Sequence, residues 1–204
     1  MRRGGLILLA ALLLAGCGGA KDDALSRYNI SDGGFSITVP DTWHATISSQ
    51  MDPASFRRFL DENPALAPYT AAAVRGESPF RFFAWDPDER EGFLTNLNVA
   101  VSPVAPSTTA DQYRRQTIAG ARSIAISGVD ATDNQLPVGS ALRLTFEAEF
   151  KLDRRHKRTV ATVQYAFMRD GQSYVITGTT LPQFADRYAP IFRDAVLSLE
   201  LTNV

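Results

Sequence analysis

Apolar and polar residues alternate along several short segments of the chain. This period of two is typical of β-strands that bury one face. Asp170 and Gly171 stand between two of these segments and form the two-residue signal of a hairpin turn. The predicted strands cover residues 35–39, 43–47, 80–85, 97–101, 142–146, 163–167 and 174–176.

Helix signals separate these strands into groups. Pro53 is followed by apolar residues at helical spacing, and Thr109 or Asp111 can cap a helix that ends near Ala121. After Pro182, an apolar stripe predicts a terminal helix. The predicted helices cover residues 53–63, 66–74, 109–121 and the segment after 182. Antiparallel strands with helices at the start, middle and end predict an α+β fold, in which helices pack on a central antiparallel sheet.

The start of the chain has the layout of a secretory signal peptide. Arg2 and Arg3 give a positive start, and residues 6–15 are an unbroken apolar run of ten. A helix needs about 20 apolar residues to cross a bilayer, so this run is too short to be a membrane span.

The signal ends in Leu14-Ala15-Gly16-Cys17, which resembles the lipobox of bacterial lipoproteins. The resemblance implies that residues 1–16 are a signal peptide that is cut off, and that a diacylglycerol is attached to the thiol of Cys17. Cys17 is the one cysteine of the chain, and lipidation explains its presence in an exported protein. Two acyl chains suffice for stable anchoring, so the first expected partner is a membrane, reached from the extracytoplasmic side. The alternative is an ordinary secreted protein with a chance cysteine near its cleavage site.

The rest of the chain divides into a tether and one domain. Residues 17–29 are polar and begin with glycines after the cysteine, which predicts a lipidated tether. Residues 30–204 contain no internal repeat and no second linker, so they are predicted to form one globular domain. With 204 residues and 45% apolar residues, the chain can bury a core of ordinary size without disulfides.

Two blocks of the predicted domain have a characteristic order. The first is residues 35–40 with Trp43, and the second is residues 174–180, a helix containing 188–192, and the pair 198–199. This order resembles that of PsbP-like domains. The family includes the photosystem II extrinsic subunit, a Ran-binding nuclear transport factor and many bacterial lipoproteins. The resemblance implies an α/β/α sandwich, with helices on both faces of a central antiparallel sheet, and a non-catalytic accessory or assembly role.

Charge and motifs exclude several functions. The chain has 21 Lys and Arg against 22 Asp and Glu, so it lacks the basic surplus of a nucleic-acid binder. It carries no nucleophile-elbow, phosphate-loop or zinc-protease motif, and a single cysteine excludes a multi-cysteine metal site. The histidines are His44 and His156, and residues 86–92 fail as a calcium loop because the fifth place is a cation. We therefore expect no catalytic residue, no metal and no cofactor.

The densest charge lies in residues 151–158, on the predicted turn between two strands. Five basic residues against one Asp are typical either of a solvated hairpin tip or of a contact with an anionic surface such as lipid headgroups. The basic residues are Lys151, Arg154, Arg155, Lys157 and Arg158.

Together these features predict a lipid-anchored protein of the cell envelope that acts as a non-catalytic binding or accessory factor with an envelope protein partner. The alternative is an extracytoplasmic carrier of small apolar ligands, and an enzyme is the third candidate. A closed core favours protein binding, whereas a cavity of several hundred Å³ with converging polar groups favours a carrier. Titratable residues clustered in a cleft favour catalysis.

Overall fold

The computed structural model describes residues 24–50, 79–88, 90–151 and 157–202. The predicted signal peptide with Cys17 and the predicted helices at 53–63 and 66–74 lie outside these residues. Within the described part, none of the helices combines the length and the apolar character that a bilayer crossing requires.

Antiparallel strands make up most of the described chain. In chain order they are β1 (Leu25–Ile30), β2 (Phe35–Pro40), β3 (His44–Ile47), β4 (Phe80–Trp85), β5 (Asn96–Pro103), β6 (Asp130–Leu136), β7 (Gly139–Lys151), β8 (Lys157–Arg169), β9 (Gln172–Thr180) and β10 (Glu200–Leu201). A large sheet has the order β3-β4-β5-β9-β8-β7-β6, and a small sheet has the order β1-β2-β10. With the two α-helices described below, this architecture confirms the predicted α+β class.

The structure contains each of the predicted strands. The turn between β8 and β9 is at Asp170 and Gly171, whose φ values of 50° and 73° are those of a tight primed turn. β7 and β8 are longer than predicted, with 13 residues each. The reason is visible in β7, where charged and apolar residues go on alternating from Phe146 to Phe150.

The folded domain begins before the end of the predicted tether, which was residues 17–29. Leu25–Ile30 is a strand, and it pairs with β2 along its whole length. Its inward side chains pack on the core: the ring of Tyr28 lies 5.3 Å from that of Phe82, and Ile30 is buried. Most outward-facing residues of β1 are polar, like the segment before it. The short alternation of β1 is therefore hard to detect in the sequence.

The two α-helices of the described residues are α1 (Ala110–Ile124) and α2 (Ala185–Leu197). Thr109 caps α1, because its side chain accepts the amide of Gln112 while the Gln112 side chain accepts the amide of Thr109. This selects Thr109 over Asp111 as the cap. α2 follows a short 3-10 turn that begins at Pro182, so the predicted terminal helix is confirmed.

The main core lies between α2 and the two sheets. The rings of Tyr188 and Phe192 on α2 each lie 6.3 Å from that of Trp43. Phe192 also covers Gly178 of β9 so closely that a Cβ at this glycine would lie 2.5 Å from its ring. Large aromatic side chains dominate the energy of such a core, so α2 fastens the small sheet to the large one.

α1 packs on a second, smaller core. Ala121 of α1 belongs to a buried cluster with residues from one side of β7. These strand residues are Leu142, Leu144 and Phe146. Tyr165 and Phe167 of the neighbouring β8 belong to the main core instead, with α2.

Candidate functional site

β7 and β8 extend beyond their neighbours at one end of the large sheet. β9 pairs with β8 as far as Ala161, whereas β7 and β8 go on pairing as far as Lys151 and Lys157. Residues 148–151 and 157–160 therefore form a two-stranded extension, here called the ribbon. It is the segment in which the sequence predicts a solvated tip or an anionic-surface contact.

An apolar cluster fixes the base of the ribbon. Val160 packs with Phe93 and Leu181, and the ring of Phe150 stands edge-on to Phe93 at 5.9 Å. Phe184, just before α2, packs on the same cluster. The loop after β4 and the start of α2 thus support the ribbon. An isolated two-stranded extension would lack this support and would be only marginally stable.

Two of the five predicted basic residues are ion-paired. Lys157 Nζ lies 2.6 Å from Glu149 Oε2, and Arg158 Nη1 lies 3.4 Å from Glu91 Oε2. Exposed pairs of this kind contribute about 0–1 kcal/mol each, but they reduce the positive surplus that the sequence alone indicates. The side chains of the other three, Lys151, Arg154 and Arg155, lie outside the described part of the structure.

Arg90 lies beside this cluster, in the loop after β4. Its guanidinium pairs with Asp88 and stands over the ring of Phe184, 5.2 Å from the centroid. The Nε–H groups of Arg90 and Arg158 are both buried, and neither meets a hydrogen-bond acceptor within the described residues. A buried donor without an acceptor costs about 1–3 kcal/mol. Both guanidinium groups lie at the same end of the sheet, and their side chains are 27% and 35% exposed.

Tyr188 joins the same loop to α2. Its hydroxyl donates to Asp86 Oδ2 at 2.6 Å, and its side chain is buried. Burial raises the pKa of Tyr188, and the hydrogen bond to the Asp86 carboxylate raises it further. Burial also raises the pKa of Tyr113 on α1, although its hydrogen bond with Ser173 opposes the increase. Both phenols therefore stay neutral and structural at neutral pH.

Raising the pH above about 10 is expected to destabilise the domain. The folded chain holds the phenolic protons of Tyr188 and Tyr113 more tightly than the unfolded chain does, because both pKa values are raised. This contribution to stability is complete below the unfolded pKa and is lost as the pH rises through the folded values. Urea unfolding curves from neutral to strongly alkaline pH measure the loss, which should be less steep in Tyr188→Phe. A stability that stays constant or rises over this range would contradict the assignment.

A groove of about 550 Å³ runs beside α2, on the side towards β7 and β8. Its floor includes Thr145 and Val163, and Ala189 and Phe192 of α2 form one wall. The charged side chains along it are Asp130, Arg143, Glu147 and Asp186. None of these four has an ion-pair partner in the part of the chain that the structure describes. The groove therefore offers free charges of both signs, which suits a polar or peptidic surface.

A second cavity, of about 800 Å³, lies at the end of the sheet opposite the ribbon. Arg81 Nε stands 3.7 Å from Asp32 Oδ2 in its lining. Tyr174 also lines it, and burial raises the pKa of this phenol, with a smaller contribution from the charge of Asp170. The groups around this cavity hold the turns at the end of the sheet in place.

The other candidates from the sequence either make contacts of a structural kind or lie outside the described residues. His44 is exposed, and its ring stands edge-on to that of Trp85 at 5.5 Å. In the rejected calcium loop, Asp86 Oδ1 accepts the amide of Asp88 at 2.9 Å, the geometry of a solvated turn. Across residues 24–50, 79–88, 90–151 and 157–202, no three His, Cys, Asp or Glu side chains are grouped as metal ligands would be. Cys17 and His156 lie outside these ranges.

A scan against protein-family models finds no match for the chain, and a search of curated proteins finds none either. Similarity is found among solved structures. The chain is similar to cyanobacterial PsbP (CyanoP) from Synechocystis sp. PCC 6803, at a TM-score of 0.50 and 13% identity, over 92% of this chain and 98% of that one.

Two other solved structures extend the similarity. LpqN, involved in cell envelope biogenesis of Mycobacterium tuberculosis, aligns at a TM-score of 0.54 and 11% identity, over 89% of this chain and 94% of LpqN. The Saccharomyces cerevisiae Ran-binding protein Mog1p aligns at 0.51 and 9% identity, over 89% and 97%. Identities this low establish the fold alone. The chain therefore has a PsbP-like fold, as the resemblance in its sequence implies.

Proposed function

We propose that the protein is a lipoprotein of the bacterial cell envelope, anchored through Cys17 on the extracytoplasmic side of a membrane. Its PsbP-like domain acts as a non-catalytic binding or accessory factor for an envelope protein partner. The observation that carries this proposal is the order of the chain: residues 14–17, which resemble a lipobox, a short polar segment, and a domain that shares its fold with an envelope-biogenesis protein.

The use of the titratable side chains supports binding over catalysis. Tyr188 and Asp86 are bonded to each other, so these groups serve the structure. Four charged side chains that have no ion-pair partner among the described residues line the open groove beside α2. A groove with charges of both signs at its edges is the kind of surface that recognises another protein.

We further infer that the layers form an α/β/α sandwich. Leu144 pairs with Gln164, whereas Tyr165 pairs with Arg143. Since successive strand residues point to opposite faces, Leu144 and Tyr165 lie on different faces of the sheet. Leu144 belongs to the cluster of α1, and Tyr165 belongs to that of α2, which supports helices on both faces.

A carrier of small apolar ligands is the second candidate. The groove volume of about 550 Å³ is within the range of small-molecule sites. Four unpaired charged side chains along the groove favour the accessory role, because an apolar ligand would have to desolvate them. Saturable binding of a fluorescent fatty acid at one site per chain, abolished by Ala189→Trp, would establish the carrier instead.

Cys17→Ser is expected to move the protein from the membrane fraction to the soluble fraction. Each buried methylene of an acyl chain contributes about 0.8 kcal/mol to membrane binding, and the substitution removes the thiol that carries the chains. Fractionation of the producing cells, with metabolic labelling by an alkynyl fatty acid, measures both effects. Gly18→Ser, which leaves the thiol in place, is the matched control. A Cys17→Ser protein that still sediments with membranes would refute the anchor.

A further inference from the structure

The chain enters the domain at the end of the sheet that carries the ribbon. The amide of Asp41 donates to the carbonyl of Ala24 at 2.8 Å, so Ala24 lies beside the turn between β2 and β3. β3 begins at His44, which pairs with Trp85 at the end of β4. The tether therefore leaves the domain level with Trp85, at the ribbon end.

The ribbon projects past this level. Trp85 is connected to Thr162 of β8 through direct strand pairs, which are Trp85–Asn96, Asn96–Thr179 and Thr179–Thr162. Lys157 is five residues beyond Thr162 along β8, a distance of about 17 Å at the rise of an extended strand. Along β8, the ribbon thus extends by about this length beyond the row of paired residues that contains Trp85.

The tether between Cys17 and the domain is similar in length to the ribbon. Ala24 is seven residues after Cys17, and a flexible chain of that length spans about 15 Å on average and about 25 Å when fully extended. Arg169, at the far end of β8, is seven residues or about 24 Å from Thr162, whereas Lys157 is about 17 Å from it. Turning the far end of β8 to the membrane therefore requires an almost fully extended tether. The orientation with the ribbon at the membrane requires a span of only about 17 Å, which is close to the average span of the tether.

The chemistry of the ribbon end fits headgroup phosphate. Lys157 is exposed, and the side chains of Arg90 and Arg158 are 27% and 35% exposed. Glu91 contacts Nη1 of Arg158 and Asp88 contacts Nη2 of Arg90, so one Nη group of each guanidinium lies outside these ion pairs. A phosphate oxygen is the acceptor that a guanidinium binds through charge-assisted hydrogen bonds.

We propose that the ribbon end of the sheet docks on anionic phospholipid headgroups of the bilayer that holds Cys17, through Arg90, Lys157 and Arg158. The proposal rests on the lipid anchor of the proposed function and adds the orientation of the domain. The ribbon faces the membrane, and the cavity of about 800 Å³ at the opposite end faces away from it.

Fluorescence quenching on vesicles tests this orientation. The chain from Cys17 to Val204 is coupled through its single thiol to a maleimide lipid, which fixes the attachment point whether or not cells acylate it. A fluorescent non-natural amino acid replaces Thr159 in the ribbon or Ser107 at the opposite end, both of which are exposed. The vesicles contain a headgroup spin label and either phosphatidylglycerol with phosphatidylcholine or phosphatidylcholine alone. We expect strong quenching at Thr159 and weak quenching at Ser107, on the anionic vesicles.

Charge variants show whether the basic side chains cause the docking. Lys157→Gln with Arg158→Gln should lower the ratio of docked to undocked protein about fivefold or more, since one basic side chain near an anionic surface contributes about that factor. The matched control is Arg169→Gln with Arg193→Gln, which removes the same charge from exposed side chains away from the ribbon. Urea unfolding midpoints check that both pairs of variants are folded.

Each outcome decides the proposal. Selective quenching at Thr159 that requires anionic lipid and is lost in the ribbon variant alone supports it. Equal quenching at Thr159 and Ser107, stronger quenching at Ser107, equal quenching on neutral vesicles, or equal effects of the two pairs of variants overturns it. Because the thiol is coupled chemically, these outcomes are independent of the Cys17→Ser fractionation, which tests the lipid anchor.

Discussion

Tyr188→Ala should lower the free energy of unfolding by about 3–5 kcal/mol, the usual cost of deleting a buried aromatic ring. The ring is 1% exposed and packs on Trp43 and Phe192, so its removal leaves a cavity in the main core. The substitution also removes the hydroxyl that donates to Asp86 at 2.6 Å, the bond that ties the loop after β4 to α2. Urea unfolding followed by circular dichroism measures the change.

Tyr188→Phe separates the two effects, because it keeps the ring and removes the hydrogen bond. Its expected cost is about 1.5–3 kcal/mol, the range for a hydrogen bond to a charged group. The loop between Asp86 and Phe93 should become more susceptible to proteolysis in this variant. Equal stabilities of Tyr188→Phe and the unmodified protein would show that the bond to Asp86 contributes nothing.

Gly178→Ala is expected to destabilise the protein by about 1–3 kcal/mol, the cost of adding a methyl group to a packed core. The new Cβ would lie 2.5–2.7 Å from three ring carbons of Phe192, which is closer than real side chains approach. Neither β9, in the middle of the large sheet, nor α2 can shift without disturbing its neighbours. A thermal unfolding midpoint several degrees below that of the unmodified protein is the expected readout.

A double-mutant cycle assigns this cost to Phe192. In a Phe192→Leu background the ring is absent, so Gly178→Ala should cost less than it does alone. Gly128→Ala is the control, since no atom lies within 4 Å of a Cβ built there. Additive effects of Gly178→Ala and Phe192→Leu would show that the ring is not what excludes a side chain at position 178.

The sequence predicted the elements whose pattern is local. Alternation identified the central strands, and the stripe of Tyr188 and Phe192 identified the terminal helix. β1, β6 and β10 were not predicted. The positions of β1 and β10 depend on β2, to which both are paired, and β6 is the edge strand that pairs with β7. Such short edge strands have few apolar residues of their own. Pairing with the sheet, and not their own composition, therefore determines their conformation.

The candidate site was predicted in part. The basic segment 151–158 was identified from its charge density, and the structure places its described part on the ribbon. The pairing of Arg158 with Glu91, 67 residues away, follows from tertiary structure and has no signal in a local pattern. Arg90 stood among acidic residues in a stretch that predicts only a charged turn. Its position over Phe184 depends on the docking of α2.

The small sheet has a consequence for the synthesis of the chain. β2 lies between the first strand and the last of the described chain, and Arg27 is paired with Glu200, 173 residues further along the sequence. The edge of β2 that receives Glu200 and Leu201 cannot be filled until these two residues have emerged from the ribosome. The small sheet therefore closes only after every strand of the large sheet has been synthesised. A chain exported in an extended form would arrive with this last closure still to be made.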